Sequence, residues 1–160
     1  MTDPVNKYYC FGYFFKADLV SNNDTSFFCP SDKDQWTSID GLLNKDHWPL
    51  GKDPTGPTSI SFGERPEDGK GNVVQFNATP PSIFPKLRNF NKMAIIADAF
   101  PTYSTVLTRH KTGINACYSD GGARWIRVEL IKSNLIPCTG SMNQGDTYQK
   151  AIWYTIDANR

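Results

Sequence analysis

Long apolar runs and an excess of charge of one sign are both missing from this sequence. No stretch approaches the roughly 18 to 20 apolar residues of a membrane-spanning helix, so we expect no membrane partner for residues 1–160 themselves. Lys and Arg number 17 against 16 Asp and Glu. This balance gives no electrostatic reason to expect a nucleic-acid partner. The length of 160 residues predicts a single globular domain over residues 1–160.

Histidine is scarce, and the motifs of the common hydrolases are absent. The two histidines are His47 and His110, and neither lies in a nucleophile elbow or in a metalloprotease helix motif. We therefore expect no enzyme. A hydrolase that uses His110 together with Asp98 is the enzymatic alternative, because catalytic triads are defined by geometry and not by chain order.

The four cysteines are widely spaced and form no Cys-x-x-Cys pair, so a zinc cluster is not expected. Their even number is compatible with two disulfides and therefore with a location outside the cytoplasm. Three pairings are possible. We expect the neighbouring pairs, Cys10 with Cys29 and Cys117 with Cys138. The alternative is four buried reduced thiols, since cysteine also packs as a small hydrophobic residue.

The distribution of aromatic residues, glycine and proline favours short strands and ordered loops. Residues 114–119 and 123–131 read as two strands, and the Asp-Gly-Gly turn between them suits a tight hairpin. Residues 93–98 form a short apolar run typical of a central strand, and 146–156 carry a helical stripe of Tyr148, Ile152 and Ile156. We expect an α+β domain: a small, mainly antiparallel sheet containing this hairpin, covered on one face by amino-terminal and carboxy-terminal helical segments.

The most polar stretch, residues 63–72, is expected to be a solvent-facing loop. Its oxygen-bearing side chains, Glu64, Glu67, Asp68 and Asn72, make calcium the one candidate cofactor. Their spacing does not fit the helix-loop-helix calcium motif. A solvated acidic loop without a bound ion is the preferred interpretation.

Residues 110–121 read His-Lys-Thr-Gly-Ile-Asn-Ala-Cys-Tyr-Ser-Asp-Gly, with nine residues between the histidine and Asp-Gly. This element resembles the signature of a family of bacterial pilin-like proteins known for a prepilin-type amino terminus and a His-x9-Asp-Gly motif. The family pattern also has a glycine, an asparagine and a later tryptophan, which here correspond to Gly113, Asn115 and Trp125. The motif residues are thus His110, Asp120 and Gly121.

Three further segments strengthen the resemblance. Residues 29–32 look like the family's Cys-Pro-Ser-Asp element, Ala97 and Asp98 resemble its Ala-Asp strand end, and residues 151–153 resemble its carboxy-terminal segment. Together these segments cover roughly residues 27 to 157, and several motifs in combination are more specific than one.

The resemblance implies a pilin-like head domain that serves as a structural subunit of a type II secretion or type IV pilus-like assembly. Its partners would be other pilin-like subunits or secretion components, and its location the periplasm or the cell surface. Family members begin with a leader and a long apolar helix in the inner membrane, so we expect this chain to be a truncated form. The alternative is a carbohydrate-binding or surface-binding module on the same scaffold, with Trp36 and Trp48 as its sugar platform.

His110, Asp98 and Asp120 are the candidate metal ligands. One imidazole and two carboxylates can hold a divalent cation if the strand ending at Asp98 lies beside the hairpin. The structural alternative is preferred, because Asp-Gly by itself builds tight turns. In that case we expect the imidazole of His110 to contact a backbone oxygen or an oxygen of Asp98.

Overall fold

The computed structural model describes residues 27–33, 38–40, 61–65, 67, 70, 86–138 and 147–160. The chain divides into two compact units, Met1–Phe62 and Gly63–Arg160. The elements described below belong to the second unit, apart from the first residue of the first strand. The expected amino-terminal helical segment lies outside the described residues, and the single domain over 1–160 stays a prediction.

Among the described residues, four strands and three α-helices form an α+β fold. The strands are β1 (Phe62–Glu64), β2 (Ala94–Asp98), β3 (Gly113–Tyr118) and β4 (Ala123–Arg127), and they lie side by side in that order. The helices are α1 (Tyr103–Arg109), α2 (Val128–Leu135) and α3 (Thr147–Ala158), and a short 3-10 helix spans Leu87–Asn89. Strand β3 is antiparallel to both β2 and β4, so the expected antiparallel sheet is confirmed.

The predicted hairpin is present, and its turn follows from the Asp-Gly-Gly sequence. Gly121 has φ +85°, a left-handed conformation that glycine adopts without steric cost. Asp120 accepts a hydrogen bond from the Gly122 N–H through Oδ1 at 3.1 Å, which closes the turn. The second strand is shorter than predicted. It ends at Arg127, where the helical spacing of Val128, Ile131 and Leu135 begins helix α2.

The core lies between one face of the sheet and helices α2 and α3. Alternate residues of the strands point into it, because side chains in a strand alternate between the two faces. The fully buried members are Ala94, Ile114, Ala116, Tyr118 and Ile126 from the sheet and Ile131, Leu135, Ile152, Trp153 and Ile156 from the helices. The predicted stripe of α3 is right at Ile152 and Ile156 and wrong at Tyr148, which is 45% exposed.

No helix among the described residues is long and apolar enough to cross a bilayer. The longest of them, α3, has 12 residues.

Tyr118 links the sheet to α3 through its buried phenol. Its ring is 1% exposed, and its hydroxyl donates to the Ile156 carbonyl at 2.9 Å. Burial raises the pKa of this phenol, and the charge of Asp157 raises it further. Because the folded pKa is the higher one, its contribution to stability is complete below the ordinary value of 10.0 and is lost as pH rises through the folded value.

Tyr118→Phe is therefore expected to lower the free energy of unfolding by about 1 kcal/mol near neutral pH. It should also flatten the loss of stability above about pH 10, because phenylalanine has no proton to release. Urea unfolding at pH 8 and at rising alkaline pH measures both effects. Tyr148→Phe is the control, because that ring is 45% exposed. Equal alkaline sensitivity in Tyr118→Phe and the wild type would contradict the assignment.

Candidate functional site

The candidate site is built around Asp98, the last residue of β2. Its side chain is 2% exposed. Its Oδ2 accepts the Asn115 backbone N–H at 2.6 Å and the Asn115 side-chain amide at 3.0 Å. His110 Nε2 lies 3.2 Å from the same oxygen. Three donors thus converge on one carboxylate oxygen, while Oδ1 is buried without a hydrogen-bond partner among the described residues.

His110 reaches Asp98 because helix α1 brings the chain back to the end of β2. Thr102 begins this helix as its N-cap, and its hydroxyl accepts the Thr105 N–H at 3.2 Å. At the other end, buried Arg109 donates to the Ala99 carbonyl at 2.8 Å. Two consecutive side chains, those of Arg109 and His110, therefore fasten the helix end to two consecutive residues of the β2 end. Sequence reasoning identified neither α1 nor the role of Arg109.

Trp125 extends the network to β4. The His110 and Trp125 rings meet edge to face, with centroids 5.7 Å apart and an interplanar angle of 90°. The indole lies over Gly113, where an added Cβ would come within 2.8 Å of Trp125 Cε2 and 2.3 Å of the Ile126 carbonyl oxygen. Gly113 is therefore required because a larger side chain would not fit between the strand and the indole. Its backbone angles are ordinary.

The third predicted metal ligand, Asp120, does not join this group. It lies in the hairpin turn after β3, whereas His110 precedes β3, so the length of that strand separates them. The Asp120 carboxylate pairs with Arg160. The Gly122 N–H bond is the chief cause that lowers the pKa of Asp120, and Arg160 lowers it further. The structure therefore does not bring the three candidate metal ligands together: His110 and Asp98 meet, and Asp120 lies apart from them.

The geometry of the Asp98 group favours a structural role. A carboxylate that orients an imidazole can support proton transfer. Here the carboxylate is almost inaccessible and its Oδ2 already has three donors. Among the described residues no group of three His, Cys, Asp or Glu side chains can hold a metal ion. What the arrangement does is hold β2, β3 and the end of α1 together.

The expected solvent-facing loop at 63–72 is wrong at Gly63 and Glu64, which end strand β1, and at Arg65 and Glu67, whereas Lys70 is exposed. Arg65 is 5% exposed and Glu67 is fully buried. Glu67 Oε1 lies 2.8 Å from Lys150 Nζ and accepts the Tyr154 hydroxyl at 3.3 Å. The hydrogen bond and charge of Glu67 raise the pKa of Lys150. Asp68 and Asn72, also proposed as calcium ligands, lie outside the described residues.

Arg65 explains why this polar stretch turns inward. Its guanidinium donates to Asp157 at 2.7 Å and lies 3.5 Å from Glu67. It also stacks near the Trp153 and Tyr154 rings of α3, at 5.7 Å and 5.6 Å from their centroids. Glu67 is thus engaged by cations of the protein itself, Arg65 and Lys150, which weakens the calcium hypothesis for this carboxylate.

The Cys-Pro-Ser-Asp element lies in the first unit and also forms a structural turn. The Asp32 N–H donates to the Cys29 carbonyl at 2.9 Å. The Asp32 carboxylate, 5% exposed, accepts the Ser61 hydroxyl at 2.7 Å. Like Asp98, this aspartate ties two chain segments together.

The structure does not join Cys117 to Cys138, which is a correction to the expected pairing. Cys117 is half-buried on β3. Cys138 follows α2, and its thiol donates to the Asn134 carbonyl at 3.3 Å, as a thiol does at the end of a helix. Cys10 lies outside the described residues, so the pairing of Cys10 with Cys29 stays a prediction.

Comparison of the chain with protein-family models, with curated proteins and with solved structures gives no match. Membership of the His-x9-Asp-Gly family therefore stays a prediction that rests on the motifs quoted above.

Proposed function

We propose that this protein is a pilin-like structural subunit of a type II secretion or type IV pilus-like assembly, with its head outside the cytoplasm. The observation that carries the proposal is the role of the His-x9-Asp-Gly element. Its histidine is held by the buried Asp98, and its Asp-Gly closes the β3–β4 turn. A signature motif whose residues stabilise the fold is typical of a family of structural proteins and not of a family of enzymes.

Two other features support the proposal. Asp32, the aspartate of the Cys-Pro-Ser-Asp element, is likewise buried and connects two chain segments through its hydrogen bond with Ser61. The small antiparallel sheet with helices α2 and α3 packed on one face is compatible with a pilin-type head. In such an assembly the subunit would act by packing against copies of itself or against other pilin-like subunits.

The test is processing and export of the natural reading frame. We expect the gene, cloned with the DNA upstream of the codon for Met1, to encode a basic leader followed by about 20 apolar residues. In bacteria that carry a prepilin peptidase the product should be shortened, and in an otherwise identical strain with an inactive peptidase it should not. Protease added to spheroplasts should digest the head domain, which would place it outside the inner membrane.

Two results would contradict the proposal. One is a product that begins at Met1 and stays protected in the cytoplasm. The other is cleavage by the general signal peptidase in the strain that lacks prepilin peptidase activity. The second result would favour the binding-module alternative, whose expected sugar platform, Trp36 and Trp48, lies outside the described residues.

A further inference from the structure

Trp125 presents an aromatic surface that packing into the core does not explain. It is 44% exposed, and it lies on the face of β4 opposite to the buried Ile126. The indole occupies the space that a side chain at Gly113 would need. The indole therefore packs in part against β3 at Gly113, and another part of its surface is exposed to solvent.

The position of this ring is fixed by the buried network described above. His110 packs edge to face against the indole, and Asp98 holds His110 by the 3.2 Å contact. An exposed side chain that is already ordered loses less conformational entropy when a ligand stacks on it. The contacts among Asp98, His110 and Asn115 therefore hold Trp125 in place, and they also connect β2 to β3.

Polar residues lie next to Trp125 on the same face of the sheet. Asn115 is its cross-strand partner, and both Asn115 N–H groups that contact Asp98 are donors. This leaves the side-chain oxygen of Asn115, an exposed residue, as an acceptor. Arg127 is the cross-strand partner of Gly113 and lies on the same face as Trp125. Arg127 and Lys111 are both exposed, and neither forms an ion pair with a carboxylate among the described residues.

We propose that Trp125, Asn115 and Arg127 form a binding site for an acidic saccharide, in which one uronic acid residue occupies the platform. The apolar C–H face of a pyranose ring stacks on the indole, which is the contact that an exposed, one-sided aromatic surface offers. The uronate carboxylate pairs with Arg127, whose planar guanidinium suits bidentate recognition. A ring hydroxyl donates to the Asn115 amide oxygen.

Two other ligand classes fit these residues less well. A quaternary ammonium ligand would stack on the indole, but Arg127 and Lys111 would repel its charge. Single-stranded nucleic acid is bound by several stacking aromatic residues along a basic groove. Among the described residues one exposed indole lies on this face together with Arg127, and the net charge of the chain is only +1. The surface therefore matches a short, carboxylate-bearing ring ligand.

The test uses the full chain and a trimer of galacturonic acid, with a neutral glucose trimer as the control ligand. The Trp125 indole N–H signal in a ¹⁵N-correlated NMR spectrum reports binding at that ring. For a ligand held at one small platform we expect a dissociation constant on the order of 0.1–1 mM for the acidic trimer. The neutral trimer should bind at least about tenfold more weakly, because it lacks the ion pair with Arg127.

Matched variants separate the platform from a general surface effect. Trp125→Ala and Arg127→Gln should each weaken binding of the acidic trimer about tenfold or more. Arg124→Gln is the control for charge, because Arg124 pairs with buried Ala116 and so lies on the opposite face of the same strand. Tyr148→Ala is the control for exposed aromatic rings, because Tyr148 is 45% exposed on α3. Trp125→Phe keeps a stacking ring and should retain most of the affinity, which distinguishes loss of the platform from loss of the fold.

Three results would overturn the proposal. The first is no shift of the Trp125 signal at ten times the expected dissociation constant. The second is equal weakening by Arg124→Gln and Arg127→Gln, which would indicate charge attraction without a site. The third is tighter binding of a short oligonucleotide than of the acidic trimer. This proposal does not depend on the pilin-like function, because prepilin processing and saccharide binding are measured separately.

Discussion

Asp98→Ala is expected to lower the free energy of unfolding by about 3–5 kcal/mol, because it removes the acceptor on which three buried or half-buried donors converge. The substitution leaves the Asn115 backbone N–H, the Asn115 amide and His110 Nε2 without the oxygen that they now share. It also leaves a cavity at a side chain that is 2% exposed. Urea unfolding followed by far-ultraviolet circular dichroism measures the loss.

Two further variants make this prediction specific. Asp98→Asn keeps one acceptor oxygen and nearly the same shape, so it should cost clearly less than the alanine variant. Asp120→Asn tests the other motif aspartate, which is exposed in the turn, and should change stability by less than about 1 kcal/mol. The prediction would be contradicted if the Asp98 and Asp120 variants lost similar amounts of unfolding free energy, or if Asp98→Ala were nearly neutral. Either result would show that the hydrogen bonds of Asp98 contribute little to the stability of the fold.

Gly113→Ala is expected to lower the free energy of unfolding by about 2–4 kcal/mol, because a single methyl group cannot be placed there without moving the backbone. The new Cβ would lie 2.3 Å from the Ile126 carbonyl oxygen and within 2.9 Å of the Trp125 indole. The indole can rotate away, but the carbonyl belongs to the β3–β4 pair and cannot move without loosening it. The same urea unfolding experiment measures the effect, and NMR of the Trp125 indole should show that the ring has moved.

Gly122→Ala is the matched control, since it also adds one methyl group to a glycine of the hairpin. Its Cβ would come no closer than 3.3 Å to a side-chain oxygen of Asp120, and its backbone is not in the left-handed region. We expect a change of about 0.5 kcal/mol or less. Equal destabilisation by the two substitutions would mean that the hairpin, and not the packing of Trp125 over Gly113, limits what β3 tolerates.

Local signals in the sequence were sufficient for the hairpin and for parts of the neighbouring elements. Asp120 and Gly121 specify their turn through short-range chemistry, a side-chain acceptor two residues from its donor and a residue that tolerates positive φ. The strand ending at Asp98 and the helix that buries Ile152 and Ile156 follow from periodicity. The contact of His110 with Asp98 is one of the two that were expected for this imidazole, the other being with a backbone oxygen.

Other features depended on contacts between residues far apart in the sequence. The polar stretch that contains Arg65 and Glu67 reads as a solvated loop, yet these two side chains are buried because Lys150 and Asp157 of α3 supply opposite charges. Helix α1 lacks a long apolar repeat, and it is held through Arg109 at the end of β2. Propensity and spacing cannot anticipate such pairings, because each partner by itself is an ordinary surface residue.

The sequence by itself determined the α+β class, the β3–β4 hairpin and the candidate motif residues, since these rest on local backbone chemistry and on the alternation of apolar side chains. Only the tertiary structure decided the roles of those motif residues. It placed His110 and Asp98 together, left Asp120 at the far end of β3, and laid Trp125 over Gly113 with part of the ring in solvent. The physical reason is that strand pairing and helix docking set which side chains meet, and both are cooperative properties of the whole core.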